Sequence, residues 1–139
     1  REVLRRRLDR RQEQAEVRRV VDAATVLAMQ AGVEATDVDP DVVTYCVDLV
    51  AATRADSQLE VGASPRGSQT LVLLARAVAA LDGRDYVLPE DVKRVAVPVL
   101  AHRLTLTPTA WASNAQPQTI VRAILDRVPG PATVASAAR

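Results

Sequence analysis

A mainly α-helical bundle with a short two-stranded β patch is the fold this sequence predicts, and three observations predict it. Helix starts are written plainly: Asp39-Pro40 and Ser64-Pro65 each set a capping residue before a proline at the first helical position, and Pro89 is followed by Glu90 and Asp91, acids at a helix's positive end. Behind each start, apolar residues recur at helical spacing. The apolar content is 48% of 139 residues, mostly Ala, Val and Leu with no Phe, which suits closely packed helices. The length suits one domain.

In chain order, residues 2 to about 19 read as an exposed helix with a thin apolar stripe of Leu4, Leu8 and Ala15. Glu2/Arg6 and Arg5/Asp9 are pairs of opposite charge one turn apart. Residues 22–34 form a second helical pattern, capped by Asp22 and apolar at Val26, Leu27 and Ala28 to Ala31. Asp39 caps the third, Pro40 opens it, and Val43, Val47 and Val50 mark its apolar spacing up to about Arg54. Residues 55–63 read as a loop. The helix after Ser64 carries Leu71, Leu74, Ala75, Val78 and Leu81 and is apolar almost all round, so it is expected to be the central, most buried one; Gly83 can end it. Tyr86-Val87 reads as a brief extension before the helix from Pro89, and Arg103 to Thr107 as extended chain that pairs with it. A last helix in "QPQTIVRAILDRV" turns Ile120, Ala123, Ile124 and Val128 inward, and the tail after it is rich in Pro, Gly and Ala. The chain starts at Arg1 inside a charged helical pattern, so it is expected to be a piece of a longer one.

Composition excludes several functions. A formal net charge of +1 gives no global field toward nucleic acid or membrane, and 2% aromatic residues do not make a stacking platform for single strands. No run approaches 18 uncharged apolar residues, and no signal peptide precedes the helices, so neither membrane insertion nor secretion is expected. A single cysteine, Cys46, excludes an internal disulfide and fits a reducing, cytoplasmic setting. There is no GxxxxGK[ST] loop and no Cys/His cluster at metal spacing. His102, the single histidine, reads as a helix-end residue bonded to backbone, and Cys46, among Val43, Val47 and Val50, as a small buried hydrophobe. Acids interleave with the arginines of the opening helix, which makes it a solvated face. Asp37, Asp39 and Asp41 lack the glycine and closing glutamate of a calcium loop and read as caps and turns.

One residue runs against the local rules. In "GASPRGSQTLVLLARAVAALDG", Arg66 falls in the first turn of a helix, where the macrodipole is positive. A locally unfavourable charge in a consistent sequence points to a site. A helix N-terminus is a ready anion site, an arginine there suits bidentate phosphate contact, and Gly67 lets another surface come close. An ion pair from Arg66 to Glu60, Asp56 or Asp91 accounts for it equally well. The residues alone leave the two readings open.

The stretch "ATRAD…VGASPRGSQTLVLLARAVAALDGRDYVLPEDVKRVAVPVLAHRLTLTP" closely resembles the C-terminal helical lid of MoxR-family AAA+ ATPases, with "GASPR", "GRDYV" and "VLAHRL" in that order and spacing. The resemblance runs from residue 2 to about 129. It implies that residues 1–19 are the last helix of the ATPase core or a linker, residues 20–128 the lid, and residues 129–139 a flexible tail. It makes Arg66 the sensor 2 residue that contacts nucleotide phosphates, with Ser64 and Gly67 as neighbours in the same site. It implies ATP and Mg2+ as ligands of the parent protein and of no fragment alone. Implied partners are the upstream core, neighbouring subunits of a hexameric, chaperone-like remodelling ring, and proteins with von Willebrand A domains. Two small departures stand out. Leu88 replaces the Ser or Thr usual before the proline of "YVLPEDV", which is expected to cost a cap, and Gly67 stands where Ala is common. Walker A, Walker B, sensor 1 and arginine finger would all lie upstream of Arg1, so the piece is not expected to hydrolyse ATP by itself. Two other classes compete: a DNA-associated AAA+-type module, which would need a clustered basic face, and a helical protein-interaction scaffold with no nucleotide role.

Overall fold

The computed structural model describes residues 1–9 and 18–132. Expectations for residues 10–17 of the opening helix and 133–139 of the tail lie outside the described residues. In chain order the elements are α1 (Glu2–Asp9), α2 (Ala23–Ala35), α3 (Pro40–Arg54), β1 (Leu59–Val61), α4 (Pro65–Leu81), α5 (Pro89–Leu100), a 3₁₀ turn (Ala101–Arg103), β2 (Thr105–Leu106), α6 (Pro108–Ala112) and α7 (Pro117–Arg127). The architecture is mainly α-helical with one two-stranded antiparallel sheet, β1 against β2. None of the helices is long and apolar enough to cross a membrane, among the described residues.

Local chemistry sets most helix ends as expected. The Asp22 carboxylate accepts from the Thr25 amide at 2.8 Å, and that of Asp39 accepts from the Asp41 amide at 2.8 Å, ahead of Pro40. Gly83 takes φ +74° and closes α4, with its N–H on Ala80 O and the Arg84 N–H on Ala79 O. These two hydrogen bonds make a Schellman stop, and glycine is the residue that enters its left-handed position without steric cost.

The core lies where α3, α4, α5 and α7 meet. It holds Leu49, Leu71, Leu100, Ile124, Val50, Val92 and Val121, all fully buried. Leu71→Ala is therefore expected to cost about 2–5 kcal/mol, read by urea unfolding, whereas Leu81→Ala, at a side chain 87% exposed, is expected to change little.

The structure corrects several expectations. Helix α4 is not the most buried: it buries Gly67, Leu71, Ala75 and Ala79, while α3 buries six residues and α5 seven. Leu74 and Leu81 face solvent. The inner face of α3 is Val42, Tyr45, Cys46, Leu49, Val50 and Thr53, with Val43 and Val47 outside, and on α7 Val121 turns inward where Ala123 was expected. Residues 55–63 are not all loop: Leu59 and Val61 pair with Leu106 and Thr105. Tyr86 instead forms a single parallel bridge to Asp37, with the Val87 N–H on Asp37 O at 3.0 Å. Arg103 ends a 3₁₀ turn rather than starting a strand, and α6 is an added short helix, capped by Thr107. On α1 the Arg6–Glu2 pair forms at 2.8 Å, but the Arg5–Asp9 pair does not.

Helix α2 departs from the usual rule. It is apolar all round, yet none of its residues is buried. It rests on α4, to which the Arg76–Glu34 ion pair ties it at 3.0 Å.

Candidate functional site

The approach to α4 is fixed residue by residue. Gly62 lies hard against the end of α3: a Cβ there would meet the Arg54 N and Cα and the Thr53 carbonyl carbon at 2.6–2.7 Å. These are backbone atoms, which cannot swing aside. Gly62→Ala is therefore expected to cost about 1–3 kcal/mol, measured by thermal melting, because the strand or the helix end must shift. Ala63 is fully buried. Its N–H donates to Thr53 Oγ1 at 2.9 Å, and its carbonyl accepts from Arg54 Nη1 at 3.0 Å. Thr53 in turn donates to Val50 O at 2.7 Å, so its buried hydroxyl is satisfied on both sides.

Ser64 stands at the N-cap position of α4 but makes no side-chain cap bond, contrary to its capping pattern. Pro65 has no N–H to cap. The first turn thus keeps its positive end without a side-chain acceptor from Ser64. Gly67 is buried, and a Cβ on it would sit 3.3 Å from Leu100 Cδ2 and 3.4 Å from Val50 Cγ2. The surface that comes close at Gly67 is the domain's own core.

Arg66 projects from this first turn into solvent. None of the three carboxylates that could have paired with it does so. Asp56 lies 3.4 Å from Arg127, and Asp91 holds Arg84 at 2.7 Å through both oxygens. Glu60 is exposed on β1 and forms no ion pair among the described residues. The fold therefore leaves an exposed guanidinium at the positive end of a 17-residue helix, a place it occupies against the field. That arrangement suits an anion with oxygens for a bidentate contact, such as a phosphate. No group of His, Cys, Asp or Glu that could hold a metal ion occurs among the described residues.

Beside the start of α4 runs an open groove of about 640 Å³ between α2, α3 and α4. Arg54, Pro65, Ser68 and Gln69 line it near the helix start, with Val43 and Val47 from α3.

At the far end of α4 sits a corner the sequence did not announce. Arg84 forks onto Asp91, also reaches Asp82 at 3.1 Å, donates to Tyr86 O at 3.0 Å and lies over the Tyr86 ring. Asp91 is almost fully buried and accepts from the Leu88 N–H at 2.8 Å. Leu88 makes no side-chain cap bond, as expected, and Asp91 at the third helical position supplies only the return half of a capping box, on the Leu88 N–H. Burial alone would raise the Asp91 pKa, but the Arg84 hydrogen bonds, the Leu88 amide and the charges of Arg84 and Arg94 outweigh it and hold the carboxyl below its usual range. The same contacts, led by the hydrogen bond to Asp91, push Arg84 further up.

The remaining reactive side chains have structural places. His102 Nδ1 lies 3.0 Å from Pro98 O, at a helix end. Cys46 is fully buried, and burial pushes its thiol up to about 11, which keeps it unreactive.

The class of this helical bundle is the AAA lid domain: the family model of that description matches residues 51–124, from the end of α3 into α7. The uncharacterised YeaC protein of Bacillus subtilis is 36% identical over 112 residues, covering 81% of this chain and 35% of that protein. Chaperone MoxR1 of Mycobacterium tuberculosis is 34% identical over 122 residues, covering 81% of this chain and 32% of that protein. A crystal structure of a protein from Cytophaga hutchinsonii assigned as an ATPase superposes with TM-score 0.79 at 31% identity, covering 94% of this chain and 42% of that one. The chain belongs to the MoxR family of AAA+ ATPases, as its lid domain. It spans about a third of the length of the curated relatives it matches.

Proposed function

We propose that this chain is the nucleotide-responsive lid of an oligomeric, cytoplasmic ATPase, with Arg66 as its sensor 2 residue. One observation carries the reading: Arg66 stands exposed at the positive end of α4, and the fold commits Asp56 and Asp91 elsewhere. Arg66 would hold the terminal phosphates of Mg-ATP, with its own amide and the exposed Ser64 beside it, while the ligands for Mg2+ would come from the upstream core. ATP supplies the phosphoryl group whose loss drives the cycle. A charged hydrogen bond of this kind is worth about 1.5–3 kcal/mol. Arg66 loses part of that contact when the terminal phosphate leaves, and the lid is then released to turn against the core. In a hexameric ring, this coupling would turn hydrolysis into the movement of a chaperone-like remodeller, with von Willebrand A domain proteins as partners.

The experiment is ATP turnover of the full-length protein with and without Arg66→Ala, alongside melting curves of both. A large fall in turnover at an unchanged melting temperature supports the reading. Unchanged turnover favours the alternative of a protein-interaction scaffold, to which the exposed apolar residues of α2 (Val26, Leu27 and Met29) and the adjoining groove lend weight.

A further inference from the structure

We infer that Thr53 and Arg54 are positioning residues that aim Arg66, an inference that rests on the sensor reading of Arg66. Both lie in the last turn of α3, and between them they grip two successive peptide groups of the segment leading into α4. Thr53 Oγ1 holds the N–H of Ala63, which belongs to the peptide joining residues 62 and 63. Arg54 Nη1 holds the carbonyl of Ala63, which belongs to the peptide joining residues 63 and 64. Each peptide is a rigid plane, so pinning two in a row leaves only the dihedral angles of Ala63 between them. The side chain of Ala63 is buried, and Gly62 has no room to move toward α3. The direction in which α4 departs, and with it the place of Arg66 three residues on, is therefore set from the end of α3.

The two residues hold the segment by different means. Thr53 is fully buried and spends its hydroxyl on Val50 O and on the Ala63 N–H, so its grip is a dry, directional bond. Arg54 is exposed and forms no ion pair among the described residues. Arg54 covers the buried Ala63 carbonyl from the surface, so its removal opens that carbonyl to water and empties no part of the core. What its planar, charged donor adds is a fixed geometry. Arg54 also lines the groove with Pro65, Ser68 and Gln69, the first residues of the helix it aims.

The test uses the full-length ATPase carrying Arg54→Ala, Thr53→Val or Thr53→Ser, each alone and combined with Arg66→Ala. Turnover is measured with saturating ATP, and amide hydrogen exchange is followed at Ala63. Arg54→Ala and Thr53→Val are expected to lower kcat about 5- to 50-fold, below the roughly 100-fold that a 1 Å misplacement can cost. Thr53→Ser keeps the hydroxyl and is expected to restore turnover. In the Arg66→Ala background the same changes are expected to add nothing, and exchange at Ala63 is expected to quicken about 10-fold as the segment opens locally. Arg54→Ala leaves the core intact, so the test stands even if Thr53→Val does not fold. Equal losses with and without Arg66 would overturn the proposal, because the clamp would then act on its own account. Exchange at Ala63 as slow in the variants as in the parent would overturn it too. If Arg66→Ala by itself leaves turnover intact, the sensor reading falls and the positioning role falls with it, an outcome distinct from an active Arg66 with no coupling.

Discussion

Arg66→Ala is expected to lower ATP turnover of the full-length protein about 10- to 150-fold, the rate equivalent of losing about 1.5–3 kcal/mol of charged contact. Its melting temperature is expected to stay put or rise slightly. Arg66 makes no ion pair among the described residues and is exposed, so truncation leaves no partner stranded. Removing a cation from the positive end of α4 relieves an unfavourable interaction of a few tenths of a kcal/mol, up to about 1. The opposite signs of the two effects make the experiment decisive. A residue that held the fold together would lose stability and activity in step, whereas one that waits for a phosphate loses activity alone. A fall in turnover that merely follows a fall in stability would sink the sensor assignment.

Asp91→Ala is expected to cost about 3 kcal/mol, the low end for breaking a buried pair, because it takes the forked acceptor from a largely buried guanidinium that keeps only Asp82 and the Tyr86 carbonyl. The Arg84 side chain is 20% exposed, and its fork loses both acceptors on Asp91, while the Leu88 N–H loses its cap. For a domain of this size that loss lowers the melting temperature by about 10–20 °C. The corner also carries a pH signature. The folded-state pKa of Asp91 lies below its unfolded value, so its contribution is fully present above the unfolded value of about 4 and is lost as pH falls through the depressed folded value. Urea unfolding of the parent and of Asp91→Asn at pH 7 and pH 3 checks this. The gap between the two is expected to narrow in acid, and a gap that stays constant would show that Asp91 carries no proton-linked stability.

The parts of this fold that are decided within a few residues were legible. Asp22, Asp39 and Gly83 act on neighbours two to five residues away, and each does what its type and position predict. Parts decided by distant chain were not. Leu59 pairs with Leu106 across the whole of α4 and α5, and nothing in "QLEV" announces that partner over Tyr86-Val87. On α3 the apolar spacing was real but ambiguous. In "PDVVTYCVDLVAATR" more than one face is apolar, so periodicity could not choose Val42 and Leu49 over Val43 and Val47. The candidate site divides the same way. Arg66 stood out because it breaks a local electrostatic rule, but that Asp56 and Asp91 do not pair with it is tertiary, since Arg127 and Arg84 take them. Thr53 and Arg54 escaped notice because their target, Ala63, lies nine and ten residues on, across a turn.

The two ends of α4 give the domain a mechanical character. Seventeen residues of helix make a rod about 25 Å long. Arg66 stands at one tip, and the Arg84–Asp91 fork fastens the corner with α5 at the other. With the corner as fulcrum, a pull of about 1 Å on the arginine tip is a tilt of only about 2° for a rod of that length. With its start pinned to α3 and its length packed on α5, α4 would not tilt alone, and the pull would turn these helices together. A force applied at a single side chain would thus emerge as rotation of a rigid body, a lever set by the spacing of one arginine and one ion pair.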